Sequence, residues 1–223
     1  MSRNVKFAPG EFYHLYNRGV DKRKIFLSTS DYARFLSLLY LANGTVPIDI
    51  KVQGQILEQV TQIERGQPLV GIGAYCLMPN HFHILLCEIK DGGISAFMHR
   101  LSTAYTMYFN KRRKRSGSLF EGTFKATHAH DDNYLSYLIS YIHLNPVKLI
   151  DPDWKETGIK DREKTEKYLA KYPYSSFLDY KGENRPESGI LQKNALPEYF
   201  ETPKEFVEIV TEWLNYNVIP NKA

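Results

Sequence analysis

Met78-Pro79-Asn80-His81-Phe82-His83-Ile84-Leu85-Leu86 sets two histidines one residue apart in an apolar run interrupted by a Pro-Asn turn. Tyr75-Cys76-Leu77 precedes the turn and Cys87 closes the run. Read as strand, turn, strand, the stretch turns His81 and His83 to one face of a sheet, because strand side chains alternate with period two. Two imidazoles fixed on one strand form half of a divalent-metal site that needs one or two further donors. An isolated His-x-His is as readily one hydrogen-bonded core residue beside one exposed residue. A second stretch, Tyr141 to Asn145, tips the reading towards a site.

The 223 residues fit one domain with an extension or a small second domain, and 43% hydrophobic residues are enough for a sizeable core. Sixteen Tyr and twelve Phe suit stacking as well as packing, while the net charge of +4 says little by itself. Cys76 and Cys87, the only cysteines, lie in apolar runs and read as buried thiols, which excludes a disulfide framework and a zinc knuckle. No run is long enough for a transmembrane helix and no signal-peptide core is seen, so a cytoplasmic protein without membrane contact is expected.

Outward from the histidines, Phe12 to Val20 suggests a first strand. His14 and Asn17 on it could face the histidine pair, with a structural role for His14 the adopted reading. Ser28, Thr29 or Ser30 caps a helix through Tyr32, Phe35, Leu36, Leu39 and Tyr40, stopped by Asn43-Gly44. Residues 45 to 69 read as an insertion, with Ile48, Ile50 and Val52 strand-like and Gln55 to Ile63 a short helix. Val70 to Leu77 and Ile84 to Ile89 are the paired strands. After Asp91-Gly92-Gly93, the stripe Ile94, Phe97, Met98, Leu101, Ala104, Tyr105 and Tyr108 predicts a long helix. It runs into Lys111-Arg112-Arg113-Lys114-Arg115. A solvated helix end is the ordinary role of such a run, but five cations exceed what the helix dipole requires, which favours a phosphate-contacting patch. Leu119 to His128 predicts a strand with Gly122 at a bulge or close approach, and Lys125 on it could reach a phosphate. Asp131, Asp132 or Asn133 caps a helix ending at Asn145-Pro146. Tyr134, Tyr137 and Tyr141 share one face of it, and Asn145 sits one turn beyond Tyr141. Beyond 150 come two charged helical fragments, an aromatic turn segment (Lys171 to Tyr180), a polar linker (Lys181 to Gly189) and an amphipathic helix within Phe200 to Leu214.

Tyr75 to His83 resembles the signature of the small single-tyrosine transposases of the HUH superfamily, the insertion-sequence type and its REP-associated tyrosine transposase branch. Tyr141-Ile142-His143-Leu144-Asn145-Pro146-Val147-Lys148 is similar to that family's second motif, and Tyr13 to Arg18 and Gly122 to Lys125 to its flanking motifs. The resemblance implies a transposase domain over residues 10–150 and an extension over 151–223. The implied fold is a ferredoxin-like α/β (α+β) layer, a central antiparallel sheet with helices on one side. The predicted order, strand-helix-strand-strand-helix-strand-helix, is compatible with it. By position, His81 and His83 match the metal ligands, Tyr141 the nucleophile, and Asn145 the polar third ligand. The implied activity is nicking and joining of single-stranded DNA near palindromic hairpins, through a 5′-phosphotyrosine and a free 3′-OH, with Mg²⁺ or Mn²⁺. Lys111, Arg112, Arg113, Lys114, Arg115 and Lys125 would hold DNA, and a homodimer is left open. The rival readings are a domesticated DNA-binding regulator of the same fold, a metal-dependent hydrolase in which water attacks, and a non-catalytic scaffold.

Overall fold

A computed structural model describes residues 5–48, 57–193 and 199–215. The expectations for Ile50, Val52 and Gln55 fall outside that range.

Four strands, β1 (Phe12–Arg18), β2 (Val70–Met78), β3 (His81–Glu88) and β4 (Lys125–Ala129), form one sheet in the order β2-β3-β1-β4. All neighbours pair antiparallel. With α1 (Thr29–Ala42) between β1 and β2, and α3 (Gly93–Arg113) between β3 and β4, the chain follows the ferredoxin-like β-α-β-β-α-β order. The one-turn helix α2 (Leu57–Val60) lies in the insertion, and α4 (Asp132–Leu144) follows β4.

Local chemistry sets the boundaries. Ser28 and Asp31 form a capping box that starts α1. Asn43 ends it, and its side chain accepts from Leu69 N and Val70 N and donates to Val70 O at 2.8–2.9 Å, pinning the start of β2. Asp131 caps α4, accepting from Tyr134 N at 2.8 Å. The strand expected from Leu119 begins only at Lys125. Gly122 has φ +70°, and its carbonyl accepts from Asn17 Nδ2, so Leu119 to Phe124 runs as a loop bridged to β1 at Gly19 and Phe120.

Helices cover both faces of the sheet, not one. Phe82 meets Phe35 of α1, and the Glu88 carboxylate accepts from Ile94 N at the start of α3, so α1 and α3 lie on the face of Phe82, Ile84 and Leu86. Tyr141 of α4 meets His83 on the other face. The sequence carries a sign of this: Val70 to Met78 is apolar without alternation, and every residue of it is buried.

The extension packs into the same core. It contains α5 (Trp154–Thr157), α6 (Arg162–Leu169), α7 (Phe177–Tyr180) and α8 (Pro203–Glu212). Trp154, Leu169, Phe177, Tyr180, Phe206 and Val210 are buried with the sheet residues. Leu77 N donates to Tyr174 O and Ser176 N to Tyr75 O, so residues 174–176 pair along the outer edge of β2. The expected polar linker is anchored instead: Arg185 donates to both oxygens of buried Asp179 and to Tyr75 Oη, each at 2.9 Å.

Candidate active site

Antiparallel register decides which side chains meet. Tyr16 lies opposite His83, and Arg18 opposite His81. Lys125 lies opposite Tyr16 on the other side of β1. Cross-strand partners share a face, so Arg18, Tyr16, Lys125, His81 and His83 are on the sheet face that α4 packs against, with Arg18, paired to Glu121, and Lys125 exposed at its margin. His14 joins them as a diagonal neighbour of His83, whereas Asn17 points to the other face and binds Gly122 O.

His81 and His83 have ring centroids 5.0 Å apart. Burial, with the charges of Lys148 and Arg18 adding to it, lowers His81 to about 4. Burial again, then His14, His81, Lys155 and Lys148, holds His83 well below its ordinary value. Both rings are therefore uncharged at neutral pH, the form that ligates metals. Asn80 Nδ2 donates to Lys22 O, which turns its Oδ1 towards His81 Nδ1 at 2.7 Å. His81 therefore carries its proton on Nδ1 and keeps the Nε2 lone pair for a ligand, the usual support of a metal-binding histidine. His83 Nδ1 lies 2.8 Å from His14 Nε2.

Of the three tyrosines on α4, Tyr141 is the one set against His83 and His14, its ring 5.6 Å from the first and 5.7 Å from the second. Tyr137 is buried against Trp213 at 5.0 Å, and Tyr134 meets His130 at 5.3 Å. Burial raises the Tyr141 phenol, with Tyr16 and Tyr134 adding to it. The Lys155 ammonium sits 4.1 Å from the Tyr141 ring centre, a cation–π contact made by the extension. Asn145 is buried, and its amide nitrogen donates to Tyr141 O at 2.8 Å, leaving Oδ1 as an acceptor. Among the described residues no group of three His, Cys, Asp or Glu is placed to hold a metal. The donors that fit one are the two uncharged imidazoles, with an amide oxygen one helical turn from the phenol. Divalent ions that keep water and phosphate oxygens as ligands need few from the protein.

The cation run is elsewhere. It ends α3, on the opposite face from the histidines. Tyr105 of that helix donates to Ile25 O, and Ile25 N to Pro79 O, so the run's end of α3 lies at the same end of the sheet as His81. Arg113 pairs at 2.8 Å with fully buried Asp31, which Arg112 also approaches at 3.9 Å. Arg115 donates to Asn110 Oδ1 and Ser118 O. Burial alone would raise the Asp31 carboxyl, but Leu27 N, Arg113 and Tyr108 outweigh it and hold it below the ordinary range. Lys111 and Lys114 are the exposed lysines of the run.

Residues 49–145 match the family model of IS200-like transposases. The chain is similar to the IS200-like transposases. That match spans just under half of the chain and includes His81, His83, Tyr141 and Asn145. It bears out the resemblance read from the two motifs and supports a transposase, a DNA-cleaving class of enzyme. A solved structure described as a REP-associated tyrosine transposase bound to a REP hairpin shares the fold. Its TM-score is 0.52 over 84% of this chain and 89% of that chain, at 14% identity. No curated protein sequence matches.

Lys155 and Tyr16 lie outside the site residues that the sequence predicts for this transposase-like chain, and the sequence assigns His14 a structural role. Lys155 comes from a charged stretch with no local sign of a site. His14 and Tyr16 reach it through the β1–β3 register, which a single strand's pattern does not disclose.

Proposed function

We propose that the protein cuts and rejoins single-stranded DNA beside a hairpin, through a covalent bond to Tyr141 and with a divalent cation held by His81 and His83. The observation that carries this reading is the Tyr141 ring packed against His83, on the face where both histidines are uncharged. Asn145 Oδ1 is the third donor we assign. A bound Mg²⁺ or Mn²⁺ would polarise the scissile phosphate and neutralise its developing charge. Tyr141 Oη forms a bond to phosphorus. The bond from phosphorus to the 3′ oxygen of the preceding nucleotide breaks, and the phenolic proton, passed on through water, protonates that oxygen as it leaves as a 3′-OH. A 3′-OH attacking the phosphotyrosine reverses the step, so strands are joined without a separate energy source.

Burial makes the phenol harder to ionise, so this mechanism needs positive charge close to its oxygen when the bond to phosphorus forms. Lys155 lies over the ring, and Lys148 and Arg18 act on the neighbouring imidazoles. The same three, with Lys125, would hold the phosphates on either side of the cut. The half-buried rings of Tyr16 and Tyr134 are platforms on which unpaired bases can stack. The hairpin in the structural neighbour supports a folded-back DNA substrate here. Incubation with a single-stranded oligonucleotide carrying a hairpin and Mn²⁺ is expected to give a protein band shifted by the attached strand, stable to denaturant. Cleaved DNA with no protein-linked product would favour hydrolysis by water and overturn this reading.

A further inference from the structure

His14 and His83 are both 6% exposed, and their ring centroids are 5.0 Å apart with 20° between planes, the side-by-side arrangement of an in-plane hydrogen bond. The 2.8 Å contact joins His14 Nε2 to His83 Nδ1. A hydrogen bond between two imidazole nitrogens holds one proton, so two arrangements exist. If His14 donates, His83 must carry its own proton on Nε2, and its only uncommitted nitrogen has no lone pair to offer. If His14 accepts, His83 is protonated on Nδ1 and its Nε2 lone pair is open. The neighbouring ring breaks the tie. Asn80 fixes His81 with its proton on Nδ1, and Asn80 is itself oriented by Lys22 O. Two histidines on one strand face can serve one ion through equivalent nitrogens only if His83 has the same tautomer.

We infer that His14 is a positioning residue: its Nε2 accepts the His83 Nδ1 proton, locks the tautomer and ring of His83, and turns His83 Nε2 towards the metal. This rests on the metal reading above. Sequence gives each histidine its own holder, Asn80 from the turn for His81 and His14 from β1 for His83. Only the second depends on strand register, which couples formation of the β1–β3 ladder to a competent donor pair. His14 carries its own proton on Nδ1 in this arrangement.

The test uses the full chain, metal-free and labelled with ¹⁵N-histidine, followed by Mn²⁺ titration. Long-range ¹H–¹⁵N spectra of the metal-free protein are expected to show Nδ1–H forms for His81, His83 and His14. His83 in the Nε2–H form would overturn the inference without involving any metal. His14→Phe keeps a ring of similar size but offers no acceptor, and about a 10- to 100-fold loss of Mn²⁺ affinity is expected. His14→Gln, whose amide oxygen can accept the same proton, is expected to retain most of it. A folded His14→Phe protein that binds Mn²⁺ as tightly as the wild type would overturn the inference. Should His14→Phe fail to fold, the wild-type tautomers and the His14→Gln titration decide. A wild type that binds no Mn²⁺ at all would overturn the metal reading itself, and the spectra separate that result from a wrong tautomer.

Discussion

Burial acts in opposite directions on the two kinds of ring at the site. It lowers His81 and His83, which keeps them uncharged, and it raises Tyr141, which favours the protonated phenol. In the mechanism proposed above, something positive must then favour the phenolate in the transition state. Lys155 is the cation nearest the ring, at 4.1 Å from its centre. Lys155→Met is expected to slow adduct formation by roughly 100-fold, the scale of a lost electrostatic stabiliser, with Lys155→Arg recovering part of it. Single-turnover cleavage at saturating protein would measure this, and an unchanged rate would reduce Lys155 to a packing contact. His81 and His83 could be read as a pair because one strand sets both on one face, whereas the choice of Tyr141 over Tyr134 and Tyr137, with Asn145 one turn on, rested on the resemblance to the family's second motif. Lys155 was not legible, because it arrives from 14 positions beyond Tyr141 through a tertiary contact.

Among the elements, α4 joins the two halves of the molecule. One side carries Tyr141 to the histidines, and the other buries His143, whose Nδ1 lies 2.8 Å from Ile139 O and Nε2 2.7 Å from Ser176 Oγ. Ser176 in turn bonds the β2 backbone at Tyr75. Burial holds His143 down to about 3 in the folded protein, whereas an unfolded chain takes up that proton near 6.5. The folded state therefore binds fewer protons, and the stability His143 contributes is lost as pH falls from about 6.5 towards its folded pKa. Denaturant unfolding across that window is expected to show a stability loss approaching 1.4 kcal/mol per pH unit for this group, lessened in a folded His143→Gln protein. A slope unaffected by the substitution would contradict the assignment. Element boundaries in this region were legible from caps and breakers such as Asp131 and Asn145-Pro146. The tie from His143 to Ser176 was not, since a histidine inside a helical apolar stripe gives no sign of its partner.

The run at the end of α3 is the element whose sequence reading changes most. Two of its arginines approach Asp31 and a third binds Asn110, so the excess over helix capping is largely structural. Replacing Lys111 and Lys114 with Gln is expected to weaken DNA binding uniformly across sequences and to shallow the salt dependence by up to about two units. An unchanged slope would remove the run from the DNA surface. Asp31→Ala is expected to destabilise the protein by about 3 kcal/mol, because it leaves Arg113 without its buried partner and removes half of a capping box.

At the scale of the whole molecule, the extension forms part of the core and one wall of the site. Trp154 and Trp213 line a small cleft with Tyr137, Tyr141 and Leu144, and residues 174–176 occupy the outer edge of β2. A chain ending at residue 150 would expose that edge and the apolar face left by Phe177, Tyr180 and Phe206. It is expected to be insoluble or molten, and a cooperatively unfolding fragment would show that the sheet stands alone. The order of strands and helices was legible from periodicity and turns. Coverage of both sheet faces and integration of the extension rest on contacts distant in sequence, which no local pattern reports.

The central claim is that Tyr141, among all the tyrosines of the chain, takes the DNA. The most direct measurement is mass-spectrometric mapping of the tyrosine that stays attached to a cleaved single-stranded hairpin oligonucleotide, in the wild type and in Tyr134→Phe, Tyr137→Phe and Tyr141→Phe. The Tyr141→Phe change removes one hydroxyl and keeps the ring contacts with His14 and His83, so folding and hairpin binding should persist. The adduct is expected on Tyr141 in the wild type and in the other two variants, and to be absent from Tyr141→Phe. An adduct that persists in Tyr141→Phe and maps to another tyrosine would contradict the account.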